Sequence, residues 1–191
     1  MKLKGAEATL TIEDSEVIKK REPKEYRDEE LDKRLREERT EEELLNLERS
    51  IKHGVKAPEP EKIDSSTLRM EKINGMTVKE VLRDQQEVME KLGKNIGKMH
   101  SADVIHGDLT TSNAIWTEEE IFLIDFGLSE VSGRMEDKAV DIHLLKQVLN
   151  SSHPDVADEA WKEFVQGYKE YDNSEEVLEQ LEDVESRGRY K

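Results

Sequence analysis

The chain has no cysteine, so disulfides and thiolate metal sites are excluded. Five histidines without close ligand spacing do not suggest a zinc site either. There is no apolar run of about 18 residues, so no segment is expected to span a membrane. Met1 to Leu10 lacks the apolar core of a signal peptide. Aromatic residues are only 5% of the 191, and Trp116, Trp161 and Phe164 fit core positions better than a base-stacking surface. Positive charge is in the minority: 30 Lys and Arg against 46 Asp and Glu give a net charge of −16. That acidity disfavours strong non-specific nucleic-acid binding by the surface as a whole. Hydrophobic residues make up 34%, which is low but patterned, so a core can form. The expectation is a soluble, cytoplasmic protein of one compact domain, or two small lobes around a cleft.

Patterning divides the chain in two. Ala8 to Ile12 alternates, Glu13-Asp14-Ser15 turns, and Glu16 to Lys19 resumes, which predicts two short strands. Residues 21–50 are dense in both charge signs. A helix fits their second half, with Leu31, Leu35, Leu44, Leu45 and Leu47 as its sparse apolar positions. Residues 54–62, with Gly54, Pro58 and Pro60, read as a loop, and Thr67 to Glu71 as a third strand. Further on, Val88, Leu92, Ile96 and Met99 recur at helical spacing. Ala114-Ile115-Trp116 and Ile121 to Ile124 read as a hairpin. Residues 138–149 and 156–168 read as amphipathic helices. The fold class is α+β, with a β-rich part over 1–73, a mostly helical part over 74–184 and a short basic tail over 185–191.

The most informative stretch is His106-Gly107-Asp108-Leu109-Thr110-Thr111-Ser112-Asn113, between a helix and a hairpin. The hairpin ends in Asp125-Phe126-Gly127. Phosphoryl transfer from a nucleotide needs these residue types. One Asp orients the attacking oxygen or accepts its proton, and an Asn and a second Asp hold divalent metal on the phosphates. A lone Asp-Phe-Gly is weak evidence, whereas H-x-D-x4-N followed by a strand and Asp-Phe-Gly is specific. Such a site also needs a strand lysine for the phosphates and an acidic helix residue to hold it. Val17-Ile18-Lys19 supplies the strand, with Lys19 facing the cleft and Lys20 pointing away. For the helix partner, Glu41, Glu42 and Glu43 compete. There is no Walker A sequence, and Lys4-Gly5-Ala6-Glu7-Ala8 offers a single glycine where a phosphate-covering loop normally has several.

Taken together, these residues resemble the small atypical kinase family of p53-related protein kinase and its archaeal relatives, the kinase subunit of the KEOPS complex. The match runs through Gly5 to Ala8, Val17 to Arg21, Pro23-Lys24, Tyr26-Arg27 and Glu30-Leu31-Asp32. It continues through Leu35-Arg36, Arg39-Thr40, Glu43, His106 to Asn113, Ile124 to Leu128, Glu136 to Asp141 and Ser151 to Pro154. The resemblance implies a minimal two-lobed, protein-kinase-like fold binding ATP and Mg²⁺. It implies Lys19 as the ATP-binding lysine, Glu43 as its partner, Asp108 as the catalytic base, and Asn113 and Asp125 as metal ligands. Gly5, Ala6 and Glu7 would sit near the phosphates, and Met70, Glu71 and Ile73 at the hinge beside adenine. The implied activity is that of a serine/threonine-type kinase acting mainly as an ATPase. The implied partners are the catalytic subunit of KEOPS, a small accessory subunit and, through the complex, tRNA, in the making of threonylcarbamoyladenosine; no membrane is involved.

Two departures from ordinary protein kinases stand out. Gly107 replaces the Arg that often pairs with a phosphorylated activation loop, so that switch lacks its cation. Only fifteen residues lie between Asp125 and Asp141, with no A-P-E, so the peptide-docking platform is absent. Asp141 resembles the acidic residue that anchors the kinase catalytic loop, or else it pairs on its own helix. His106 is expected to brace that loop, and His100 to sit in the core or at a helix end. The basic residues from Lys20 to Arg39, and the end at Arg187 and Arg189, read either as solvated charge or as a strip for RNA or an acidic partner. Two competing readings remain. One is a small-molecule phosphotransferase of the aminoglycoside or choline kinase type; the other is a scaffold that binds ATP without turnover.

Overall fold

The computed structural model describes residues 1–5 and 7–188. Among them, three strands come first: β1 (Lys2–Lys4), β2 (Thr9–Ile12) and β3 (Glu16–Lys20). Helix α1 (Glu29–Lys52) follows, then β4 (Pro60–Asp64) and β5 (Thr67–Glu71). These five strands form one antiparallel sheet in the order β1-β2-β3-β5-β4. Lys19 faces Leu68 across the β3–β5 pair, and Val17 faces Met70.

The rest is mainly helical. It comprises β6 (Met76–Thr77), α2 (Val78–Val81), α3 (Val88–Ser101), β7 (Val104–Ile105), β8 (Ala114–Trp116), β9 (Ile121–Leu123) and β10 (Glu130–Val131), then α4 (Met135–Ser152), α5 (Ala157–Tyr168) and α6 (Ser174–Gly188). β6, β8 and β9 make a small sheet, and β10 pairs with β7. The chain after Asp-Phe-Gly thus returns directly alongside the strand that leads into the 106–113 loop.

Residues 60–64, expected within a loop, form the edge strand β4. Pro60 is accommodated there because it stands at the first position of an edge strand. β1 and α6 are further elements without a strong sequence signal. Helix α1 also begins earlier than its apolar positions suggest. Asp28 caps it by accepting the Glu30 and Leu31 N–H groups, and acidic residues in the first turn and basic ones in the last suit its dipole. Its buried stripe is largely polar: Thr40, Glu43, Asn46 and Ser50 lie inward with Leu47, while Leu31 and Leu45 are exposed. The leucine pattern misleads because this helix faces a charged cleft rather than an oily core.

The apolar core lies among the later helices. Leu92, Ile96 and Met99 of α3 pack with Ile142 and Leu145 of α4 and Phe164 and Tyr168 of α5. α3 and α5 approach so closely that a Cβ on Gly93 would lie 2.1 Å from the Phe164 carbonyl oxygen, and one on Gly167 1.9 Å from that of Glu90. Val177 and Leu181 seat α6 in the same cluster. This block carries the 106–113 loop.

Candidate active site

Lys19 is buried, yet its ammonium has two partners. Nζ lies 2.7 Å from Glu43 Oε1 and 2.7 Å from Asp125 Oδ1. Strand alternation puts Lys19 and Arg21 inward and Lys20 outward. Of the three competing glutamates, Glu43 is the one that meets Lys19; Glu41 instead pairs with Lys62. Arg21 completes the cluster, with Nη2 donating to Glu43 Oε2 at 2.6 Å. Burial opposes ionisation of Asp125, but the Lys19 ammonium beside it prevails and holds the carboxyl below its ordinary range. Asp125 adopts a left-handed backbone (φ 62°), which turns its carboxylate toward Lys19 as β9 ends.

The loop from His106 to Asn113 is braced at several points. Asn113 Nδ2 donates to both the main-chain oxygen and Oδ2 of Asp108, at 2.9 Å each. The amide nitrogen is thereby committed, which leaves the amide oxygen of Asn113 as a potential ligand. His106 Nε2 donates to the Ile124 carbonyl at 3.1 Å, while Nδ1 accepts the Asp108 N–H at 3.3 Å. One imidazole therefore ties this loop to the strand end before Asp125. Phe126 is buried with its ring 5.1 Å from that of His106.

Asp141 anchors the loop from beneath. It accepts the His106 N–H at 2.8 Å, the Gly107 N–H at 3.0 Å and His100 Nε2 at 3.2 Å. Burial opposes its charge, but the His100 hydrogen bond leads the contributions that outweigh it, and the carboxyl is held low. Burial pushes His100 down, so the neutral ring donates to Asp141 and accepts from the Tyr168 hydroxyl at 2.7 Å. Burial also raises the Tyr168 hydroxyl, which keeps its proton. Gly107 has φ 77°, and a Cβ there would lie 2.3 Å from the Leu128 carbonyl oxygen. The backbone thus excludes the Arg found at this position in ordinary kinases.

A cleft of about 420 Å³ opens between the sheet and this loop. Gly5, Glu7, Lys19, Arg21, Asp108 and Asp125 are among the residues lining it. Glu43 sits behind Lys19, and Asn113 beside Asp108. Met70, Glu71 and Ile73 are not part of the lining: Met70 is buried in β5, and the Glu71 N–H is spent on the Glu59 carbonyl beside the edge strand. Ala6 and residues 189–191 lie outside the described residues, and residues 185–188 continue α6, where Arg187 pairs with Glu136 at 2.7 Å. Along the basic strip, Arg27 and Arg36 close on Asp32 at 3.7 and 2.7 Å, and Arg39 pairs with Glu7. Arg21 is the site residue whose role in the cleft sequence reading missed. Its i+2 spacing from Lys19 was the available signal.

The family model described as the RIO domain matches residues 8–134. A probable bifunctional tRNA threonylcarbamoyladenosine biosynthesis protein of Methanocaldococcus jannaschii is 41% identical over 98% of this chain and 36% of its own length. The KEOPS complex subunit Bud32 of Pyrococcus abyssi is 38% identical over 92% of this chain and 84% of its own. The chain belongs to the RIO-domain family that includes Bud32. It spans only 36% of the length of the first of these relatives. Among solved structures, Chaetomium thermophilum Rio2 kinase in an ADP/Mg²⁺-phosphoaspartate complex aligns over 100% of this RIO-domain chain and 72% of its own, with TM-score 0.65 and 13% identity. The amicoumacin kinase hAmiN, in complex with AMP-PNP, Ca²⁺ and Ami, aligns over 90% of this chain and 72% of its own, with TM-score 0.65 and 15% identity. These likenesses give the fold: α+β and protein-kinase-like. No helix among the described residues is long and apolar enough to cross a membrane.

Proposed function

We propose that this RIO-domain chain is an ATP-dependent kinase acting mainly as an ATPase, serving the KEOPS machinery that makes threonylcarbamoyladenosine in tRNA. The observation that carries the reading is the convergence of Lys19, Asp108 and Asp125 on one cleft, with Asn113 fixed against Asp108. Residues 1–73 form the upper lobe and 74–184 the lower, with the nucleotide held between them. Lys19 binds the α- and β-phosphates, and Glu43 aims it. Asp108, held by Asn113 and His106, orients the attacking oxygen and accepts its proton.

Asp125, Asn113 and Asp108 offer carboxylate and amide oxygens, which suits a hard cation such as Mg²⁺. No group of three or more His, Cys, Asp or Glu residues among those described forms a self-sufficient metal site. Two carboxylates and an amide oxygen suit a metal that would complete its shell with phosphate oxygens and water. Bound there, Mg²⁺ would neutralise charge on the phosphates. Gly5 and Glu7 edge the phosphate end of the cleft. The KEOPS catalytic subunit, a small accessory subunit and tRNA are the proposed partners. The direct β7–β10 return after Asp-Phe-Gly suits a partner-coupled ATPase, because it leaves little chain for a peptide platform.

The test follows γ-labelled ATP with Mg²⁺, with and without the KEOPS catalytic subunit and tRNA. Free phosphate raised by the partner, and reduced at least about a hundredfold in Asp108→Ala and Asp125→Ala, supports the reading. Label retained on protein would make it chiefly a protein kinase. Nucleotide binding without any turnover would leave a scaffold and end the enzyme reading.

A further inference from the structure

Arg21 stands outside the steps above, yet it is 2% exposed and lines the same cleft. Its Nη2 donates to Glu43 Oε2 at 2.6 Å and its Nη1 to Thr40 Oγ1 at 3.3 Å, while Nε is buried without a partner. Glu43, itself buried, thus holds one cation on each carboxylate oxygen. Lys19 is in turn shared with Asp125. In this cluster two cations face two carboxylates.

Nucleotide binding would disturb that balance. Asp125 would turn to the metal and Lys19 to the phosphates. Glu43 has to stay in place as Lys19 turns, and a buried carboxylate short of partners carries a large penalty. Arg21 removes the problem, because a guanidinium remains charged at any working pH and its hold on Oε2 does not depend on Lys19.

We propose that Arg21 is a positioning residue for nucleotide binding: it keeps Glu43 in place, which frees Lys19 to leave Asp125 and engage phosphate. The inference rests on the nucleotide-site reading above.

Calorimetric titration of the purified chain with Mg-ADP tests it. The proteins are wild type, Arg21→Met and Arg21→Lys. Among the described residues, Lys19 and Arg21 are the cations within ion-pair distance of Glu43. Asp125 lies beyond Lys19, and Arg39, one turn earlier on α1, is paired with Glu7. Lys19, Asp125 and Arg39 are common to all three proteins, so differences between them report on residue 21 and its hold on Glu43.

Arg21→Met is expected to bind Mg-ADP about tenfold more weakly, because Glu43 loses the partner that holds its second oxygen as Lys19 turns to phosphate. Arg21→Lys should stay near wild type. Unchanged affinity in Arg21→Met would overturn the proposal, as would an equal loss in Arg21→Lys. If Arg21→Met does not fold, Arg21→Lys decides, and a tenfold loss there overturns it. If wild type binds no Mg-nucleotide, the site reading falls and takes this inference with it. Tight wild-type binding with indifferent Arg21 variants defeats the inference alone.

Discussion

The carboxylate of Asp141, on α4, accepts the backbone N–H of His106 at 2.8 Å, across 35 residues of sequence. With its second oxygen on the Gly107 N–H, it fixes the entrance to the 106–113 loop from the helical base. Asp141→Ala would strand two N–H groups and His100 in a buried setting. The expected loss is roughly 2–5 kcal/mol of unfolding free energy. Urea denaturation measures it, and a loss under about 1 kcal/mol would show that the anchor is dispensable.

Gly107 offers a sharper steric test. Its φ of 77° and the 2.3 Å approach of the Leu128 carbonyl oxygen leave no room for a side chain. Gly107→Ala is expected to cost about 1–3 kcal/mol and to slow turnover, because the carbonyl, the loop or both must move. Gly107→Arg, which recreates the ordinary kinase residue, should be at least as damaging. A fully stable, active Gly107→Arg protein would contradict this geometry.

Acid should destabilise the fold in two stages. His100 is depressed below its ordinary 6.5 chiefly by burial, and His153 is depressed by burial and then by Arg83. The unfolded chain therefore binds protons that the folded chain resists, and stability declines as pH falls below about 6.5. The limiting slope is about 1.4 kcal/mol per pH unit for each histidine. Asp125 and Asp141 have lowered values, so their contribution is complete above about pH 4 and disappears as pH falls through those values. Urea midpoints from about pH 8 down to about pH 3 check the profile, and His100→Gln should reduce the upper slope. A flat wild-type profile down to pH 5 would rule out the histidine stage.

Glu7 and Arg39 form an exposed pair at the cleft mouth. Such a pair contributes about 0–1 kcal/mol to stability, so Arg39→Ala should leave unfolding nearly unchanged. It should, however, leave an uncompensated carboxylate facing the phosphates. The expected result is a KM for ATP raised several-fold at low salt with kcat preserved, and recovery in Glu7→Gln/Arg39→Ala. An unchanged KM in Arg39→Ala would place Glu7 outside the phosphate field.

Much of the architecture was legible locally. Residues 67–71, the hairpin of β8 and β9, and helices α3 and α5 carry clean two- or 3.6-residue periodicity, because each has one face in an apolar core. α1 does not, because Thr40, Glu43, Asn46 and Ser50 are buried against a polar cleft and against Ser129, whose carbonyl and hydroxyl accept from Asn46 at 3.0 Å. β4 was hidden for a related reason: Pro60 opens it, and its pairing with β5 is an edge contact.

By itself, the sequence determined the chemical alphabet of the cleft. Asp108, Asn113 and Asp125 are spaced along a loop and a hairpin, and local chain geometry alone brings such neighbours together. It also established that Gly107 stands where a cation is usual. What it could not determine was which charges meet across long separations. Lys19 finds Glu43 rather than Glu41 or Glu42 because the depth and rotation of a 24-residue helix on the sheet decide which carboxylate is turned inward. Arg21 joins them because desolvation leaves a buried carboxylate in need of partners, and only the tertiary packing of β3 against α1 says which cations are within reach.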